Sequence, residues 1–214
     1  LLVLEDGLIK KLGNYDEIIP HLSKEVEIVD ERDKYLMPGF IDGHVHAVQT
    51  QIMASYGADL LEWLENYTFP YESQFSDVEF AKKSSRTFFQ HLLKNGTTTA
   101  AIYSSVHEVS LESIADEAIR LNMRVLGGKT HMDRNAPEGL CDNSDDSYFD
   151  SKELIEKWHN KGRMSYAVTP RFAPTSSSEQ LKQAAKLLDE YSDTNGNKGL
   201  LMQTHLNENI DEIE

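Results

Sequence analysis

A (β/α)8 barrel, carrying only about five of its βα units behind a short β region, is the fold class this α/β sequence predicts. Two observations predict it. Short, apolar, mostly β-branched runs recur along the chain, and amphipathic stretches with helix-start and helix-stop residues lie between them. Such alternation gives a parallel sheet with right-handed helical crossovers. A third observation weighs against an open doubly wound sheet: the first strand-to-helix turn lacks G-x-G-x-x-G, and no P-loop lysine motif is present. A complete barrel takes about 250 residues, and this chain has 214. The chain opens at Leu1 and stops in "NENIDEIE", which reads as the first turn of a helix. Both ends lead us to expect part of a longer protein.

Residues 1–36 read as a β region. "LLVLEDGLIKKLG" has apolar pairs around Asp6-Gly7, as two strands joined by a tight turn require. "EVEIVD" alternates polar and apolar residues like a half-buried strand, and Pro38-Gly39 then punctuates the chain. The domain from residue 37 to 214 begins with "FIDGHVH" as its first strand. Four further strands are expected at "TTTAAIY" (97–103), "MRVLGG" (123–128), "MSYAVTP" (164–170) and "GLLMQTH" (199–205). The helices between them are expected to start at Ser76-x-x-Glu79, Ser110, Ser151 and Ser176-x-x-Glu179. Gly96 and Gly162 read as helix stops.

Composition narrows the function. Hydrophobic residues make up 39% and charged residues 27%, which suits a globular protein with a core. No apolar run approaches the roughly 18 residues of a membrane helix. Lys plus Arg number 21 against 36 Asp plus Glu, and the net charge of −15 opposes a nucleic-acid partner. The single cysteine, Cys141, rules out a disulfide framework and a cysteine-rich zinc site. A cytoplasmic protein without membrane contact is expected.

The chemistry concentrates in histidines at strand ends. His44 and His46 share one face of the first strand, because side chains alternate with period two. An isolated H-x-H pair carries little weight, but His205 ends the fifth strand at the same rim. Three imidazoles there make a natural zinc set with room for a further ligand. Glu208, three residues on, is a carboxylate that can move a proton from water to a leaving group, and it also suits a helix start. Arg171 and Phe172 follow the fourth strand toward the same rim, where an arginine can hold a carbonyl oxygen and a phenyl ring can stack on a flat ring. Gln49 has the donor and acceptor needed to read the edge of a base. His107 and His131, after the second and third strands, are placed to border a pocket. His91 and His159 read as solvated, and Trp63 as a lid residue or as packing.

"LMPGFIDGHVH" resembles the opening of the amidohydrolase superfamily, a metal-dependent hydrolase barrel that follows a small β-sandwich. "LLEWLENYTFP", "NGTTTA", "VTPRFAP" and "QTHLNEN", in that order, resemble the guanine deaminases within it. The match runs from about residue 36 to the end, and residues 1–36 fit the N-terminal part of the sandwich. The resemblance implies hydrolytic deamination of guanine to xanthine and ammonia by zinc-activated water. It implies His44, His46 and His205 as ligands of one zinc ion, Glu208 as proton shuttle, and Gln49, Arg171 and Phe172 as guanine contacts. The absence of a lysine from the fourth strand favours a single metal. A strand-six histidine and a strand-eight aspartate complete the site in the family and have no counterpart in these residues, so the 214-residue piece alone is expected to be inactive. Asn207 stands where relatives commonly carry serine, with little consequence expected. The runner-up readings are an aminohydrolase acting on a pterin, cytosine or triazine, and a metal-free scaffold barrel. The partner implied is the small molecule guanine, with a homodimer as the assembly to test.

Overall fold

Asp6 and Gly7 both take positive φ values, 53° and 74°, the backbone that a two-residue hairpin turn demands. They join β1 (Leu2–Glu5) to β2 (Leu8–Leu12), which pair antiparallel. A short helix, α1 (Tyr15–Ile18), follows. The computed structural model describes residues 1–57, 59–192 and 199–213. It divides into two compact units, Leu1–Pro38 and Gly39–Glu214. Within the first, the strand expected at residues 25–30 does not form. Val26, Ile28 and Val29 are exposed, and an alternating run with no strand beside it has no ladder to join.

The second unit is a parallel sheet backed by helices. Its strands are β3 (Phe40–His46), β4 (Thr97–Tyr103), β5 (Arg124–Gly128), β6 (Thr130–His131), β7 (Met164–Pro170) and β8 (Leu201–Met202). β5 and β6 are one strand interrupted at Lys129, since Gly127 faces Tyr166 and Thr130 faces Thr169 across β7 in continuous register. The order β3-β4-β5-β7 continues through β8, which pairs with the free side of β7. Every strand therefore joins beside its predecessor, always on the same side. A doubly wound sheet would reverse direction after its first strand pairs, so the progression is that of a barrel, and among the described residues the barrel does not close. Gly128 permits the close approach of β7, because a Cβ there would lie 1.8 Å from the Ala167 carbonyl oxygen.

Between β3 and β4 lie α2 (Leu60–Trp63), a π-helical stretch (Leu64–Thr68), α3 (Phe69–Glu72) and the long α4 (Val78–Lys94). The remaining crossovers are α5 (Glu108–Arg120), α6 (Ser144–Trp158) and α7 (Ser178–Glu190), with α8 (Ile210–Ile213) after β8. The apolar faces of α4, α5, α6 and α7 meet the sheet in one core that includes Phe89, Ile102, Leu111, Ile114, Val125, Leu154, Tyr166 and Leu187.

Each predicted helix exists, but its start differs from the expected serine. Asp77 caps α4, its Oδ1 accepting from Phe80 N at 2.7 Å, while Ser76 donates to the Ser73 carbonyl. A carboxylate caps as well as a hydroxyl and also complements the helix dipole. Ser110 lies inside the first turn of α5, where its hydroxyl accepts from Ser105 N. α6 starts at an Asn143 cap, which leaves Ser151 buried in mid-helix. Ser177, rather than Ser176, caps α7. The fifth strand is shorter than expected, at Leu201–Met202 alone. Gly96, with φ 83°, closes the chain after α4 as anticipated.

A candidate metal centre at the strand ends

β3 ends in His44-Val45-His46, and the chain following β8 carries His205 into the same place. One ring nitrogen or other ligand atom from each of His44, His46 and His205 lies within 4.8 Å of the other two. The ring centroids of His46 and His205 are 4.9 Å apart, and those of His44 and His205 4.7 Å. The Nε2 atoms of His46 and His205 face each other at 2.9 Å. His205 is held from behind: its Nδ1 lies 2.8 Å from the Arg171 carbonyl oxygen, which also accepts from the His205 backbone N–H. A carbonyl only accepts, so Nδ1 carries the proton and Nε2 of the neutral ring keeps its lone pair.

Burial favours the neutral form of two of these rings, His46 and His205. It lowers the His46 imidazole well below the usual histidine range, and the charge of Arg171 lowers it further. Burial likewise lowers His205, opposed by its bond to the Arg171 carbonyl and by the Glu208 carboxylate. Neutral imidazoles with lone pairs converging on one point suit a divalent cation. The Tyr103 ring, at the end of β4, stacks on His46 at 4.6 Å and forms the wall behind it. Its phenol is raised above the usual range by burial and by Glu208.

The histidines open onto a pocket of about 190 Å³, which Gln49, Leu60, Trp63, Leu64, Arg171, Phe172 and Glu208 also line. All seven site residues expected from the sequence therefore meet at one cavity. Gln49 comes from the 3₁₀ turn after β3, and Arg171 and Phe172 from the end of β7. Phe172 is buried, with its ring centroid 6.5 Å from that of His205. Glu208 is exposed, in a short stretch whose backbone N–H groups at Asn207 and Glu208 donate to the Glu212 carboxylate. Asn207 has φ 60° there, a left-handed conformation that asparagine tolerates better than most side chains. Trp63 is packed into the wall and donates from Nε1 to the Ser55 hydroxyl at 2.8 Å.

Other expectations need correction. His131 does not border the pocket; it is buried, its Nε2 2.8 Å from the Ser151 hydroxyl. His107 lines a different cleft, with Lys129 and Asp142. His159 is half-buried and its Nδ1 accepts from Tyr166 N, so it is not merely solvated. One side chain that contacts two of the pocket residues was missed in the sequence. Glu72, two residues beyond "LLEWLENYTFP", is fully buried and pairs with Arg171 at 2.6 Å. A glutamate embedded among Phe69, Tyr71 and Phe75 was the available signal.

Known proteins resemble this chain in sequence and fold. The chain is 44% identical to guanine deaminase of Escherichia coli (strain K12) over 213 residues, covering 100% of this chain and 47% of that protein. The solved E. coli guanine deaminase superposes with a TM-score of 0.92 over 99% of this chain and 48% of that one. A guanine deaminase from C. acetobutylicum, solved with guanine bound in its active site, gives a TM-score of 0.85 at 33% identity, over 99% of this chain and 48% of that one. The chain thus spans about half the length of the curated relatives it matches. Among the described residues no helix is long and apolar enough to cross a membrane. The amidohydrolase family model matches residues 35–214, and the chain belongs to that family.

Proposed function

We propose that this chain carries the metal-binding and base-binding part of an enzyme that hydrolyses guanine to xanthine and ammonia. The observation that carries the reading is one cavity shared by three converging histidines, a carboxylate, an arginine, a glutamine and a buried phenyl ring. The guanine bound in the C. acetobutylicum relative supports the choice of substrate.

His44, His46 and His205 would hold one zinc ion, and the Arg171 carbonyl behind His205 Nδ1, which leaves Nε2 free, fits such a role. When bound, the ion supplies the Lewis acidity that makes water a nucleophile near neutral pH. The protein side chains do the rest. Phe172 offers its face to a planar ring, and Arg171 donates to a 6-oxo group. Gln49 reads the adjacent edge. Held this way, the base turns C2 toward the histidines, and orientation of that kind removes much of the barrier. Glu208 takes a proton from water and delivers it to the ring nitrogen beside C2, then to the departing amine. Its exposed position at the pocket mouth suits a group that exchanges protons with solvent. The low count of basic residues agrees with a free base rather than a polynucleotide as substrate, and the single cysteine with a cytoplasmic setting.

The test is ammonia and xanthine production from guanine by the protein at its full natural length, after zinc-supplemented expression, beside a panel of amino-substituted pterins, pyrimidines and triazines. Guanine turnover with zinc present on elemental analysis is the expected result. Turnover of another heterocycle but not guanine would reassign the substrate, and a protein with no metal and no turnover would leave a scaffold barrel.

A further inference from the structure

Glu72 occupies the wall behind the pocket without lining it. Its Oε2 accepts from Arg171 Nη1 at 2.6 Å and its Oε1 from Arg171 Nη2 at 3.3 Å. The same Oε1 accepts from Gln49 Nε2 at 3.1 Å. The Arg171 guanidinium also stands 5.7 Å from the centroid of the Phe69 ring, one helical turn before Glu72. One buried carboxylate therefore grips both side chains that read the substrate edge.

The grip has a chemical direction. An ionised carboxylate can only accept, so it compels Gln49 to turn its NH₂ inward. The atom of the amide left for the pocket is Oε1, an acceptor. Arg171 has five N–H donors, and the carboxylate engages two nitrogens of the fork, so what remains of it for the pocket is donors only. A ligand edge that complements this pair carries an acceptor beside a donor N–H. Guanine has that order in its 6-oxo group and the neighbouring ring N1–H. A purine with an amino group at C6 has the reverse order, a donor beside a bare ring nitrogen.

We propose that Glu72 is a positioning residue that sets this polarity, and through it the preference for a 6-oxo over a 6-aminopurine. The proposal rests on the guanine reading above and deepens it. Glu72 touches no substrate; it acts by fixing which atom of Gln49 faces the pocket and where the Arg171 fork points.

The decisive comparison is Glu72→Gln assayed with guanine and with 2,6-diaminopurine, which keeps the 2-amino group and reverses the polarity at C6. Replacing the carboxylate by an amide frees Gln49 to present either atom. The preference for guanine, as a ratio of kcat/KM values, should narrow by about 10-fold or more, the scale on which paired polar groups reject a mismatched analogue. The change should fall mainly in KM, with zinc content unchanged and partial rescue in Glu72→Asp. A merely structural glutamate would lower both substrates equally, and an unchanged ratio overturns the proposal. Should Glu72→Gln not fold, Glu72→Asp must show the same narrowing to a smaller extent, and Glu72→Asp in a Gln49→Met background must add none. If the wild type turns over neither purine, the substrate reading fails while Glu72 stays testable. The Gln49 side-chain amide resonances, assigned by their loss in Gln49→Ala, should then show slow proton exchange in the wild type and fast exchange in Glu72→Asp; equal exchange overturns the proposal.

Discussion

His205 and His131 sit in closely similar settings, yet only one of them belongs to the pocket. His131 ends β6 and His205 follows three residues after β8, and each is buried, at 1% and 8% exposure respectively. Burial lowers both imidazoles, His131 to about 3. Each has one ring nitrogen engaged from behind, His205 by the Arg171 carbonyl and His131 by Ser151. They differ in the other nitrogen. His205 Nε2 meets His46 Nε2 and opens on the cavity, whereas His131 Nδ1 is buried with no hydrogen-bond partner among the described residues. A histidine at a strand end is therefore not a ligand by position. What marks His205 as the candidate is a second histidine, His46, whose ring nitrogen meets its own at the same point.

The largest effect that separates the two should come from His205→Ala. Removal of one of three imidazoles leaves a pair that holds zinc poorly, so elemental analysis should find the metal lost and ammonia release from guanine should vanish with it. Retention of stoichiometric zinc by that variant would break the comparison, since His205 would then be no more a ligand than His131. Glu208→Gln should keep the metal and lower kcat by about 10²-fold, the usual scale for a positioned acid or base. Near-normal turnover would remove Glu208 from proton transfer.

Arg171→Ala sharpens the same point, because it separates the backbone of residue 171 from its side chain. The carbonyl that orients His205 survives, so zinc content should stay. The side chain's partner does not: Glu72, fully buried, is left without its cation. Loss of one member of a buried pair costs about 3–5 kcal/mol, read as a lower midpoint in urea unfolding, and KM for guanine should rise. A loss of zinc here would mean that the guanidinium, and not the carbonyl, positions His205.

The same contrast explains how much was legible in the sequence. His44 and His46 could be read because period two puts them on one strand face, and His205 because its own strand ends at the same rim. Arg171 and Phe172 follow the same rule at the end of β7. Glu72 obeys no such rule. It reaches Arg171 from a helix 99 positions away in sequence, and nothing in either local pattern points to the other. The helix starts at Asp77, Asn143 and Ser177 were misplaced because several polar residues near each boundary can cap, and tertiary packing decides among them. Residues 25–30 alternate correctly and still form no strand, since pairing depends on a neighbour that periodicity does not supply.

The smallest effect on activity, and the clearest view of the other histidine, should come from His131→Gln. The glutamine amide reaches about as far as Nε2 and keeps a partner for Ser151. Zinc content and guanine turnover should stay near those of wild type. Acid stability should change. A histidine near its ordinary value of 6.5 in the unfolded chain and about 3 in the native state binds its proton only on unfolding across that window. Its neutral burial therefore supports the fold fully above the unfolded value, and the fold loses stability as pH falls through the window toward about 3. His131→Gln removes this titration, so the slope of unfolding free energy against pH between about 6 and 4 should flatten relative to wild type. An unchanged slope would show that other groups govern the acid limb and that His131 stays neutral at no cost. A loss of turnover with retained stability would return His131 to the pocket and erase the distinction from His205.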